Sequence, residues 1–328
     1  MRVAAVDCGT NSIRLLVADG PDGGSAGPDA RQATLTDVER RVEFVRLGHG
    51  VDATGVIASE SMRRALAMTW EYAARCDELG VEVVRFVTTS AARDARNAGE
   101  FIAGVRMAFD GRDVSPEVLT GDQEAHLSFL GATGGLAASG AQPPYLVVDV
   151  GGGSTEFVRG GAGADHDRVQ AGRSVDMGCV RLTERHLREI PPTREALAAA
   201  LAEVDAQLDR VDSEVGFDGV GTLVGLAGTV TTVTAHALGL PTYDSHAIHL
   251  ARLEAEQVLQ ACDDLLASDR ARLAALPYMH PGRVDVIGAG ALIWGRIVAR
   301  VAKAAACPVL TSEHDILDGI AMSLLRER

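Results

Sequence analysis

Two segments of the chain follow one plan. VAAVDCGTNSIRLLVAD (3–19) and LVVDVGGGSTEFVRG (146–160) each run an apolar strand into an aspartate. Each then passes a glycine-containing turn of small or hydroxylated residues and returns as a second strand. Apolar alternation resumes at once in IRLLVA and in EFV, so both are β-turn-β hairpins. A third glycine turn, VGLAGTVTTV (224–233), leads from a strand into a helix-like run through Gly228, Thr229, Thr231 and Thr232. The two copies lie about half a chain apart, and helical patterns alternate with the strands between them, which indicates an α/β fold.

The composition of the turns has a physical reason. A strand ending at a cleft can present one carboxylate, Asp7 or Asp149, to a hydrated cation. Glycine lets the backbone approach a phosphate, and consecutive N–H groups in such a turn form an anion-binding nest. The hydroxyls of Thr10, Ser12, Ser154 and Thr155 add neutral donors. An isolated D-x-G turn is commonly a hairpin tip and nothing more; two copies in matching contexts make the phosphate reading the stronger one. No GxxxxGK[ST] loop is present, and no GxGxxG opens a helix after a strand.

The 328 residues suit two domains, with 47% hydrophobic and 23% charged residues as in ordinary globular proteins. A formal net charge of −14 argues against a nucleic-acid or anionic-membrane partner. It leaves room for a small anionic substrate, because a metal ion or local arginines reverse the field within one cleft. Cys8, Cys76, Cys179, Cys262 and Cys307 are dispersed without a CxxC pair, which reads as reduced thiols in the cytoplasm. No signal peptide or membrane span is expected.

Strands are expected at 2–6, 13–18, 81–87, 145–150 and 222–227, and helices at 57–79, 193–211, 254–266, 291–305 and 313–326. Thr193 is the expected cap of the second helix. The stretches 20–30 and 160–168 read as hairpin tips and 131–144 as an interdomain crossing, on their glycine and proline content.

The segments DCGTNSIRLLVAD, TTSAARDA, LTGDQEAHLSFLGA, VVDVGGGSTEF, SVDMGCVRLTE, GLAGTVTTV and RVDVIGAGALI together resemble the exopolyphosphatase/guanosine pentaphosphate phosphatase (Ppx/GppA) family. The resemblance runs from Val3 to the last helix. It implies an α/β fold with duplicated actin/Hsp70/sugar-kinase-like (ribonuclease H-like) domains flanking a central cleft. The expected domains are 1–121, completed by the C-terminal helix 313–328, and 122–312. Longer relatives append helical domains, so a 328-residue chain is expected to favour short polyphosphate.

The resemblance also assigns roles. Glu124 matches the glutamate credited with activating the attacking water, although a carboxylate in a first helical turn is also favoured simply by the helix dipole. Asp7, Asp149 and Glu156 would hold Mg²⁺ or Mn²⁺, with Glu156 equally able to orient a water, and K⁺ is a further candidate ion. Arg93 matches a phosphate clamp. Thr10, Asn11, Ser12, Gly151, Gly152, Gly153, Ser154, Thr155, Gly228 and Thr229 complete the phosphate cradle. The expected reaction is hydrolysis of the terminal phosphate of polyphosphate in a cytoplasmic protein, with a homodimer as a common assembly.

Alternatives from the same residues are guanosine pentaphosphate or a nucleoside triphosphate as substrate. More distant are a kinase of the same fold and a sensor that binds polyphosphate or the alarmone without turnover. His246-x-x-His249 has zinc-like spacing but no third ligand in view, and His314-Asp315 reads as a helix start. The basic residues of CVRLTERHLRE are expected on a solvated helix face, with a rim for a phosphate tail as the alternative.

Overall fold

A computed structural model describes residues 1–20, 35–136, 138–161 and 168–326. The chain divides into two compact units, Met1–Gly134 with Ile316–Arg328, and Gly135–Asp315. The units therefore part at Gly134, not at the expected 121/122, because the helix Gly121–Thr133 packs within the first unit. The hairpin tips read at 20–30 and 160–168 lie almost wholly outside the described residues.

The first unit holds β1 (Arg2–Cys8), β2 (Ile13–Asp19), β3 (Thr36–Glu43), β4 (Val83–Thr88) and β5 (Glu117–Val118), in the order β3-β2-β1-β4-β5. β1 and β2 are buried on both faces, and the period of two sorts their side chains. Ala4, Val6, Cys8, Ile13, Leu15 and Val17 pack in one cluster with Ala65, Tyr72 and Phe101. Val3, Ala5, Leu16 and Ala18 pack in another with Leu127, Ile316 and Ile320. There the C-terminal helix Ile316–Arg326 crosses helix 121–133 so closely that a Cβ on Gly319 would lie 2.0 Å from the Leu127 carbonyl oxygen.

The second unit holds β6 (Tyr145–Val150), β7 (Thr155–Gly160), β8 (Val169–Val175), β9 (Thr222–Leu226), β10 (Arg252–Leu253) and β11 (Val309–Thr311). Their order is β10-β11-β9-β6-β7-β8. Read from β8, the run β8-β7-β6-β9-β11 repeats the first unit's arrangement, with two antiparallel pairings followed by two parallel ones. This is the duplicated actin-like α/β architecture. One cluster around Leu146, Val148, Leu223, Leu265 and Trp294 forms the core of this unit.

Sequence-based helix positions match closely. Helix Ser59–Glu78 lies within the expected 57–79, and Thr193 caps Arg194–Glu214 by accepting from the Ala196 N–H. The last helix starts at Ile316, three residues after the expected position.

Candidate active site

The two hairpins correspond residue for residue. Asp7 pairs with Arg14 across β1 and β2, and Asp149 pairs with Glu156 across β6 and β7. Directly opposed residues of an antiparallel pair lie on the same face, so each hairpin presents two side chains together. In the first, Arg14 Nη2 lies 2.6 Å from Asp7 Oδ2, with Nε at 3.1 Å. In the second, two carboxylates stand side by side, both buried, and Ser174 Oγ donates to Glu156 Oε1 at 2.7 Å.

The turns are tied to their own units. Thr10 Oγ1 and Ser90 Oγ are 2.8 Å apart, joining the first turn to the short helix Ser90–Asp94 that carries Arg93. In the second turn Thr155 Oγ1 donates to the Met177 carbonyl. Gly178 packs against the turn so tightly that a Cβ would lie 2.4 Å from the Gly152 carbonyl. Beyond it begins helix Cys179–Arg185, whose Arg181 Nε donates to the Gly153 carbonyl at 2.7 Å.

Glu124 sits in the first turn of helix 121–133. Thr120 caps that helix by accepting from the Gln123 N–H, and the Gln123 side chain accepts from the Thr120 N–H. The capping box fixes where the helix starts, and hence where Glu124 lies. The residue is only 8% exposed. Arg93 Nη1 donates to the Leu119 carbonyl at 2.7 Å and to Glu124 Oε2 at 3.3 Å. Arg93 therefore braces the loop before the helix and the carboxylate upon it.

In the third turn, Ala227 adopts a φ of 68° and helix Ala227–Ala237 follows. Gly228 faces Arg283, where a Cβ would lie 2.5 Å from Nη2. Arg283 Nη1 donates to Thr232 Oγ1 at 2.9 Å. Thr229 is buried, and its hydroxyl hydrogen-bonds to the Cys179 thiol. Burial pushes that thiol up to about 11, so it is no nucleophile near neutral pH.

These features can be set beside known proteins. A match to the Ppx/GppA phosphatase family covers residues 28–323. The chain belongs to this family. It is 46% identical to Exopolyphosphatase 2 of Mycobacterium tuberculosis over 98% of each chain. It is 31% identical to a guanosine-5'-triphosphate,3'-diphosphate pyrophosphatase of Vibrio cholerae, over 69% of this chain and 42% of that protein. The crystal structure of an exopolyphosphatase-like protein, 40% identical, superposes with a TM-score of 0.91 over 99% of this chain and 98% of that one.

The site residues expected from the family motifs lie on a hairpin, on a glycine turn or at a helix start within their own units, except Arg93, which lies in the last turn of helix Ser90–Asp94. Two residues that carry the geometry were missed as contributors. Arg181 was read as part of a solvated face, but its side chain is only 10% exposed and turns inward to the glycine turn. Arg283 lies in the RVDVIGAGALI motif, and only the fold brings it onto Gly228. The rest of the basic stretch is also engaged. His186 Nε2 lies 2.6 Å from Glu203, which Arg185 also contacts. Burial opposes ionisation of Glu203, but the hydrogen bonds from His186 and Arg185 outweigh it and hold the carboxyl below its ordinary value.

Among the described residues no cluster of three His, Cys, Asp or Glu side chains could hold a metal ion. His249 instead accepts from the Glu313 N–H and stacks near His314, with ring centroids 4.4 Å apart. For Mg²⁺ a three-residue cage is not the relevant test, since the ion commonly takes one or two carboxylates and completes its shell with water and substrate phosphate. The acid pair Asp149 and Glu156 fits that requirement in donor type and placement. Asp7, already bonded to Arg14, fits it less well.

Proposed function

We propose that the protein is an exopolyphosphatase-type phosphoanhydride hydrolase that releases terminal phosphate from inorganic polyphosphate, with short chains preferred. The observation that carries this reading is the second hairpin. Its two buried carboxylates stand on one face beside a glycine turn, in a chain similar over nearly its whole length to an exopolyphosphatase. The preference for short chains is supported by the net charge of −14, which disfavours an extended basic channel. Its place would be the cytoplasm, in keeping with five free cysteines, four of them buried. No helix among the described residues is long and apolar enough to cross a membrane.

In this mechanism Glu124 takes a proton from the attacking water while Arg93 fixes the orientation of its carboxylate. Backbone N–H groups of Gly152, Gly153 and Ser154 donate to phosphate oxygens, where charge must be held as the bond to the leaving phosphate breaks. Mg²⁺ or Mn²⁺ held by Asp149 and Glu156 would neutralise part of the phosphate charge. Thr229 and Gly228 supply further donors in the second unit.

Guanosine pentaphosphate is the second reading, favoured by the similarity to the Vibrio cholerae pyrophosphatase. One experiment separates the two. Phosphate release is measured with Mg²⁺ from short polyphosphate, long polyphosphate and guanosine pentaphosphate, for the wild type and Glu124→Gln. Turnover of short polyphosphate, reduced by about 10²–10⁴ in the variant, is the expected result. Turnover of the nucleotide alone would reassign the substrate, and full activity of Glu124→Gln would remove the base. Binding of all three without turnover would make the protein a sensor.

A further inference from the structure

The two turns fold their backbones alike. The Gly9 N–H donates to the Ser12 carbonyl at 2.9 Å, and the Gly151 N–H donates to the Ser154 carbonyl at 3.1 Å. Both turns also have their inner carbonyls pinned from outside. In the first, the Thr10 carbonyl accepts from the Gly48 N–H at 2.9 Å and the Asn11 carbonyl from the Arg46 N–H at 2.8 Å. In the second, the Gly151 carbonyl accepts from the Cys179 N–H at 3.0 Å, and that of Gly152 from the Val180 and Arg181 N–H groups at 2.8 and 3.1 Å. The Gly153 carbonyl, which corresponds to that of Asn11, is held by a side chain, through Arg181 Nε at 2.7 Å.

A trans peptide is planar, so a carbonyl and the N–H that follows it point in opposite directions. Pinning the carbonyls of Gly151, Gly152 and Gly153 toward helix 179–185 aims the N–H groups of Gly152, Gly153 and Ser154 the other way. Three consecutive donors then converge as an anion nest. The Gly153–Ser154 peptide is the weak point, because glycine offers little resistance to a flip. A flip there would present a carbonyl oxygen, a repulsive group, to a phosphate.

We propose that Arg181 is a positioning residue that holds the Gly153 carbonyl turned away, so that the Ser154 N–H faces phosphate. In the first hairpin the main chain of Arg46 performs this task; in the second a guanidinium does, and a substitution can remove it. The setting suits a fixed strut. The side chain of Arg181 is 90% covered, and its Nη2 lies 3.9 Å from Asp176. Arg181 thus acts through the turn. The inference rests on the phosphate-binding role proposed above for that turn.

The test uses full-length ¹⁵N-labelled protein titrated with tripolyphosphate, together with steady-state hydrolysis. In the wild type, tripolyphosphate should shift the amide signals of Gly152, Gly153 and Ser154. In Arg181→Met the Ser154 signal should no longer respond, and Kd and KM should rise by about tenfold, the loss of one charge-assisted hydrogen bond. Arg181→Lys, which can still reach a carbonyl with an ammonium, should recover part of this. Should Arg181→Met fail to fold, Arg181→Gln, shorter but still polar, is read in the same way. A wild type whose Ser154 amide ignores tripolyphosphate would overturn the nest, even if the protein hydrolyses polyphosphate. A folded Arg181→Met or Arg181→Gln with wild-type affinity and amide shifts would overturn the positioning role and leave the proposed function standing.

Discussion

Asp7 faces Arg14 across the first hairpin, whereas at the corresponding positions of the second hairpin Asp149 faces Glu156. The backbones match in register and in turn hydrogen bonding, and the difference in charge lies at one position, Arg14 against Glu156. An Asp–Arg pair is neutral as a local charge arrangement. Two carboxylates directly opposed across a ladder repel each other, and they need positive charge from outside their hairpin to ionise together. On the proposed reading the cation therefore falls to the second copy of the motif and not to the first. The most direct way to break the comparison is Glu156→Arg, which gives the second hairpin the charge pattern of the first. Divalent-ion binding, followed by Mn²⁺ resonance or calorimetry, should disappear, and turnover should fall by about 10³-fold, the scale of losing charge stabilisation at the reacting group. Retained Mn²⁺ binding would show that the acid pair is not where the cation sits.

Next in size is the packing that supports each turn. A Cβ on Gly178 would meet backbone, 2.4 Å from the Gly152 carbonyl, which cannot yield without moving the turn. A Cβ on Gly48, its counterpart against the first turn, would meet the Thr10 Cγ2 methyl at the same 2.4 Å. That methyl belongs to a side chain that can rotate at the expense of its bond to Ser90. Gly178→Ala should therefore raise KM for tripolyphosphate by about tenfold and cost about 1–3 kcal/mol of stability, and Gly48→Ala should do less of both. Steady-state kinetics with thermal melts checks the order. Equal effects would mean that the two turns are equally compliant.

The hairpins were legible in the sequence because everything that defines them is local: an apolar run, an acid, a glycine and a returning run. Helices 59–78 and 194–214 were legible from periodicity and from Thr193. What escaped notice depends on contacts between segments far apart in sequence. Helix 121–133 belongs to the first unit because Gly319 admits the Leu127 carbonyl, a pairing that no local pattern announces. β3, TDVERRVE, carries charges on both faces of an edge strand, so it shows no strand alternation. Arg181 lies on a short helix among other basic residues, and its role appears only when that helix is brought against the glycine turn.

A smaller effect separates structure from chemistry in the first hairpin. Asp7→Asn removes the carboxylate that Arg14 bonds and leaves the guanidinium with a neutral neighbour in a mostly buried place. The loss should be about 2 kcal/mol, the usual worth of a charge-assisted hydrogen bond, and be visible in denaturant melts. The Mg²⁺ concentration for half-maximal activity should stay near that of the wild type, whereas Glu156→Gln should raise it severalfold. A matching rise in Asp7→Asn would give Asp7 a share in the cation and narrow the difference between the copies.

The smallest expected effect concerns the glycine that follows each aspartate by two residues. A Cβ on Gly9 would meet its nearest neighbour, the Ser12 carbonyl oxygen, at 3.7 Å, which is ordinary contact. On Gly151 the corresponding Cβ would lie 2.9 Å from the Ser154 carbonyl oxygen, closer than real Cβ contacts come. Gly9→Ala should therefore stay within about 0.5 kcal/mol of the wild type. Gly151→Ala should strain the bond from the Gly151 N–H to the Ser154 carbonyl, and with it the three N–H groups aimed at phosphate. Its penalty should appear in tripolyphosphate affinity before it appears in the melting temperature, because the bond it disturbs closes the turn and not the core. If Gly9→Ala lost as much affinity as Gly151→Ala, the first turn would need a bare backbone as much as the second. The two copies would then share phosphate binding and differ only in charge.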